Sequence, residues 1–98
     1  MAISKQYLKT KPVCKVTFTV PAETAETVAV VGSFNDWDHK ATPLKKLKNG
    51  TFKGVVSLDT DTSYEFRYLV DGEFVNEIDA DEQVWNDFAD AENSVLKI

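Results

Sequence analysis

Only one cysteine, Cys14, occurs in the 98 residues, so neither an internal disulfide nor a thiolate zinc cluster can form within one chain. Long apolar runs are missing as well: nowhere do about eighteen apolar residues follow one another. The N-terminus, Met1 to Lys9, carries two lysines but no apolar stretch of signal-peptide length. These absences lead us to expect a soluble, cytoplasmic protein with no membrane partner. Basic residues are outnumbered, eleven against sixteen acidic for a net charge of -5, and they are spread over the chain. Clustered Lys and Arg are what phosphate contacts need, so nucleic acid is not an expected partner. Repeats, low-complexity tracts, linkers and a convincing helical period are also lacking.

What is present has the size of one small domain with a single core. Hydrophobic residues make up 43% and charged residues 28%, an ordinary globular balance, and 11% aromatics suit a half-buried sheet. Residues 1–12 read as an N-terminal extension and 13–98 as the domain. From Val13 to Val20, Cys14, Val16, Phe18 and Val20 alternate with Lys15, Thr17 and Thr19, the period of a strand with one solvated side. Cys14 shares the apolar phase, which makes it a buried, inert thiol. Pro21 ends that strand; after the AETAET connection, Thr27 to Phe34 is β-branched and apolar and reads as a second strand. Asn49-Gly50 is a hairpin signal before Thr51 to Leu58, where Phe52, Val56 and Leu58 face inward. Tyr64, Phe66, Tyr68 and Val70 then alternate with Glu65, Arg67 and Leu69 up to the turn at Asp71-Gly72. Phe74 and Val75 begin a return strand, residues 77–92 read as an acidic loop, and Asn93 to Ile98 as a terminal strand. About seven short strands imply an all-β, immunoglobulin-like antiparallel sandwich.

Three ordered motifs carry a resemblance: Val28 to Trp37 (VAVVGSFNDW), Tyr64 to Phe74 (YEFRYLVDGEF) and Ala80 to Leu96 (ADEQVWNDFADAENSVL). The chain resembles the early-set immunoglobulin-like domains of carbohydrate-binding module family 48 over residues 13–98. That family includes the glycogen-binding domain of the AMP-activated protein kinase beta subunit and the N-terminal domains of isoamylases and glycogen branching enzymes. The resemblance implies a non-catalytic module for α-1,4-glucans such as glycogen, starch chains and maltooligosaccharides. Glycogen-binding members grip the glucan with two tryptophans, a lysine and an asparagine. The first tryptophan falls on Trp37 and the asparagine on Asn93. The lysine falls on Arg67, which keeps charge and donors but not geometry, and the second tryptophan on Phe74, which keeps a stacking face. Where relatives often have proline, this chain has Trp85, which either supplies another aromatic or packs.

A pyranose offers a C–H face for an aromatic plane and a rim of hydroxyls for amide or charged groups. Trp37, Phe74, Arg67 and Asn93 provide that combination, with Leu69 beside Arg67 on the outer face as a possible addition. Each has a plainer reading: Trp37 packing on its own loop, Arg67 paired with Glu65 or Glu73, Phe74 in the core, Asn93 satisfying backbone groups as the last strand opens. The acidic run Glu77, Asp79, Asp81 and Glu82 offers oxygen ligands but lacks a glycine-bearing metal loop, so it reads as a solvated loop, and no metal or cofactor is expected. Carboxylates lie on loops without a deep cleft, and His39 has no nucleophile in a recognisable pattern, so catalysis is not expected. The alternative reading is an interaction module, docking through the Trp37 surface on a glycan-processing enzyme, or a homodimer through an outward face with Val31, Val55 and Leu69.

Overall fold

The computed structural model describes residues 2–77, 80–86 and 91–98. Its strands are β1 (Ala2–Tyr7), β2 (Val13–Pro21), β3 (Val28–Gly32), β4 (Lys45–Lys46), β5 (Thr51–Asp59), β6 (Ser63–Val70), β7 (Glu73–Val75), β8 (Glu82–Asn86) and β9 (Ala91–Lys97). One antiparallel sheet has the order β1-β2-β5-β4, the other β3-β6-β9-β8. β7 pairs with the stretch of β6 beyond its contact with β9. The expected all-β sandwich is therefore present, and no helix occurs among the described residues.

Alternation decides what fills the space between the sheets. Phe18 of β2 stands at the centre, its ring centroid 5.4 Å from Phe66 and 6.1 Å from Tyr68 of the facing sheet. Cys14, Val16 and Val20 from β2, Phe52 and Leu58 from β5, and Leu96 from β9 join the same buried cluster. Phe34 lies past the end of β3 yet turns inward to stack on Phe18 at 6.2 Å and meet Tyr64 edge-on at 6.1 Å. Aromatic pairs of this geometry add about 0.5–1.5 kcal/mol beyond their area burial.

Turn chemistry sets the hairpins. Val70 pairs with Glu73 across a two-residue turn in which Asp71 (φ 47°) and Gly72 (φ 86°) are both left-handed, the conformation an Asp-Gly turn favours. Gly50 (φ 86°) closes the β4–β5 hairpin. The edge of β3 is not left open: Val30 N–H donates to the Thr42 carbonyl, Leu44 N–H to that of Val28, and Ala29 bridges Pro43. The chain then passes to the other sheet as β4. Proline fits this edge because it has no N–H to offer.

Four expectations change. Residues 2–7, read as part of an extension, form β1 against β2, and Lys5 spans the two sheets to reach Asp81 (2.8 Å) and the Lys97 carbonyl (3.1 Å). The segment 77–92 is not a solvated loop throughout: 82–86 form β8, because Glu82 to Asn86 pair with β9. Within it Glu77 is fully buried and accepts the Tyr68 hydroxyl at 3.0 Å, while Asp79 lies outside the described residues. Burial, reinforced by the charge and hydrogen bond of Glu77, pushes the Tyr68 phenol up, so it stays a neutral donor. Finally, Val31, Val55 and Leu69 do not share a face: Val55 belongs to β5 in one sheet, Val31 and Leu69 to β3 and β6 in the other, and Val31 is buried.

Two carboxylates hold strand ends in place. Asp71 Oδ1 accepts from the N–H groups of Thr27 (2.8 Å) and Glu26 (2.9 Å), and these bonds lower its pKa. Burial works against the charge of Asp81, but the Lys5 ammonium and the Lys97 N–H outweigh it and the pKa is again lowered. Both groups therefore contribute stability in full above the unfolded-state value of about 4, and that contribution is lost as pH falls through the depressed native values. Melting temperature should accordingly drop between about pH 5 and pH 2. Asp71→Asn should flatten part of that drop; an unchanged pH profile in the variant would remove Asp71 from the account.

Candidate functional site

Outward-phase residues of the β3-β6-β9-β8 sheet form its solvent face. Val31 stands opposite Arg67, and Leu69 opposite both Ala29 and Phe74. One register step beyond the Phe66–Ser94 pair, Asn93 lies across from Arg67, and Val84 lies across from Asn93 on the other side. Arg67, Phe74 and Asn93, far apart in sequence, are thus brought to one face.

Their chemistry is specific. The Arg67 guanidinium lies 4.3 Å from the centroid of the Phe74 ring, a cation–π contact. Phe74 is 47% exposed, not a core residue. Among the described residues Arg67 forms no ion pair with Glu65 or Glu73; it is held by the aromatic face, and its Nε is buried without a hydrogen-bond partner. Asn93 is the third residue of β9, not its opening one, and is only 1% exposed. Its Nδ2 donates to Glu65 Oε1 at 3.2 Å, while its Oδ1 is buried and unpartnered. A buried donor or acceptor left unpaired costs about 1–3 kcal/mol, so two of them on adjacent strands of one face mark a place where stability has been given up.

Trp37 sits on the loop leaving β3. Its N–H and that of Asn35 both donate to the Gly32 carbonyl (3.0 and 3.1 Å). The Asn35 side chain supplies the rest of the fastening: Oδ1 accepts from Gly32 N–H at 3.0 Å, and Nδ2 donates to the Val30 carbonyl and Thr42 Oγ1, both at 3.0 Å. Held this way, Asp36 (φ 56°) and Trp37 (φ 57°) both adopt the left-handed region, unusual for a bulky side chain. The indole is half-buried, and among the described residues it makes no ring stack with Phe74. The loop's direct contact with the face comes instead from His39, whose ring meets Phe74 edge-on at 5.8 Å and 77°.

Leu69 joins the face beside Phe74. Trp85, 55% exposed, stands across from Glu92 on β8, in the phase opposite to Val84 and hence away from Arg67 and Asn93. Sequence reasoning missed His39 and Glu65 as members of the site. Nothing local signals them: His39 lies in a loop of no regular period, and Glu65 looks like any outward strand residue.

The family model of carbohydrate-binding module 48 (isoamylase N-terminal domain) matches residues 6–91. The match takes in Trp37, Arg67 and Phe74 and stops two residues short of Asn93. A search of curated proteins found no match.

The loop geometry makes two predictions. A Cβ on Gly32 would lie 2.5 Å from the Glu65 carbonyl oxygen, a backbone atom that cannot rotate away, so Gly32→Ala should cost about 1–3 kcal/mol as overpacking. Asn35→Ala strands the Gly32 N–H and the Val30 carbonyl and should cost about 1–3 kcal/mol. Urea unfolding checks both: the midpoint falls while the slope is kept. Wild-type midpoints would refute the fastening role.

Proposed function

The chain belongs to carbohydrate-binding module family 48, a family whose modules are non-catalytic in themselves, and on that premise we propose that it binds α-1,4-glucans on the face built by Arg67, Phe74 and Asn93 beside the Trp37 loop. The reading is carried by the two unpartnered atoms, the Arg67 Nε–H donor and the Asn93 Oδ1 acceptor. A hydroxyl both accepts and donates, so one sugar hydroxyl complements the pair once the flexible arginine rotates to admit it. A phosphate or carboxylate would satisfy Arg67 but would set its own oxygens against Asn93 Oδ1 and the neighbouring Glu65 carboxylate. The chemistry thus favours a neutral, hydroxyl-rich ligand, with the exposed Phe74 ring for the pyranose C–H surface. Trp37 adds a second plane from its loop. An open face contacts few sugar units, and affinity should fall between micromolar and millimolar.

A second reading, docking on a glycan-processing enzyme or on another copy, draws support from the far edge of the sheet, where Val84 and Trp85 are both exposed on edge strand β8.

Calorimetric titration with maltoheptaose separates the two. Wild type should saturate, and Trp37→Ala should bind at least about tenfold more weakly, a loss of roughly 1.4 kcal/mol. Asn93→Leu is the sharper variant: removing an unsatisfied buried acceptor should leave unfolding free energy unchanged or raise it by about 1 kcal/mol while binding weakens about tenfold. A purely structural Asn93 would give the reverse, destabilisation with affinity intact. No heat up to about 50 mM sugar, beyond the weak end of that affinity range, would transfer the case to protein docking.

A further inference from the structure

We propose that the recess next to Phe74, between the start of β3 and the loop after it, is a subsite for a further glucosyl unit of the same chain; this rests on the α-glucan reading above. The recess encloses about 370 Å³ and is lined by Ala29, His39, Lys40, Pro43, Leu69 and Gly72 among others. That volume lies within the range of small-ligand sites, and the lining has their usual make-up, mainly apolar with few polar groups. Ala29, Pro43 and Leu69 supply the apolar part of the lining, and the exposed residues His39 and Lys40 supply the polar part.

The recess is continuous with the platform. Leu69, part of its apolar lining, pairs directly with Phe74 in the β6–β7 register, and His39, part of its polar lining, meets the Phe74 ring edge-on. A glucan lying on the Phe74 ring and running past His39 enters the recess without leaving the protein surface. Its walls are also fixed beforehand. The Lys40 N–H donates to Asp38 Oδ1 at 2.9 Å, setting the bend of the loop, and the hydrogen bonds of Val30 with Thr42 and Leu44 with Val28 hold the Pro43 side against β3. A preformed site loses less entropy on binding than one that must be ordered. The occupant is a neutral sugar unit: its C–H face suits the apolar lining and its hydroxyls suit an imidazole and an ammonium.

Chain length is the readout. Wild type is titrated with maltotriose and maltoheptaose alongside Ala29→Ile, which fills the recess from its apolar lining, and His39→Ala, an exposed change that keeps the test available should the larger side chain impair folding. Circular dichroism checks each fold. Wild type should bind maltoheptaose on the order of tenfold tighter than maltotriose. In Ala29→Ile that gain should shrink to about twofold with maltotriose affinity retained, and His39→Ala should weaken maltoheptaose severalfold. A full length-dependent gain in both variants would overturn the subsite while leaving the glucan reading intact. Loss of maltotriose affinity in Ala29→Ile would overturn it as a site separate from the platform. Absence of binding to either sugar by the wild type would overturn both.

Discussion

The carboxamide of Asn35 stands where a further strand would otherwise be needed. At the end of β3 the sheet edge still presents the Gly32 N–H and the Val30 carbonyl, and one side chain answers both before reaching on to Thr42. An unanswered pair of backbone groups at this partly buried edge would favour a looser exit from the strand. With the amide in place, the loop leaves β3, holds Asp36 and Trp37 in left-handed conformations, and returns along the same edge at Thr42 to Leu44. Trp37 and His39 owe their positions to that closure. Gly32 is part of the device, since the Glu65 carbonyl passes where a Cβ would be.

Polar side chains divide into two kinds on either side of the same sheet. On the inner face Tyr68, Glu77, Ser94, Asn76 and Gln83 are joined: the phenol donates to Glu77, the Glu77 N–H to Ser94 Oγ, and Gln83 Nε2 to the Glu77 carbonyl. Ser94 Oγ lies within hydrogen-bond distance of Asn76 Oδ1 as well. A satisfied network of this sort specifies one packing arrangement. On the outer face, Arg67 Nε and Asn93 Oδ1 are left without partners. Arg67 and Asn93 are carried by neighbouring strands β6 and β9 of one sheet, so the backbone that bears them is set by strand pairing. Function placed on strands is positioned more closely than function placed on loops.

Charge follows the same division of labour. The chain is acidic overall at -5, yet Arg67 is kept out of ion pairs and laid on Phe74, and Lys5 is committed to Asp81 as a tie between sheets. An arginine on an aromatic face keeps its outer N–H groups for a ligand, whereas one neutralised by a carboxylate would offer few. A membrane-spanning helix is absent among the described residues.

Much of the architecture was legible in the residues themselves. Period-two alternation in Val13 to Val20, Thr51 to Leu58 and Tyr64 to Val70 set which side chains face the core, because neighbouring side chains on a strand must point to opposite faces. Asp71-Gly72 and Asn49-Gly50 set two turns, because few residues tolerate the left-handed backbone such turns require. The outward phase of Arg67 followed from the same alternation. Strand β1 was not legible, since AISKQY has no clean alternation and is a strand only because β2 offers it an edge; nor was β8, whose polar residues are recruited by pairing with β9. Alternation names a face but not its neighbours. That Arg67 rests on Phe74 and not on Glu65, that Asn93 is buried with an idle oxygen, and that His39 crosses to Phe74 were decided by tertiary structure alone, because each depends on strands and loops distant in sequence arriving within a few ångströms of one another.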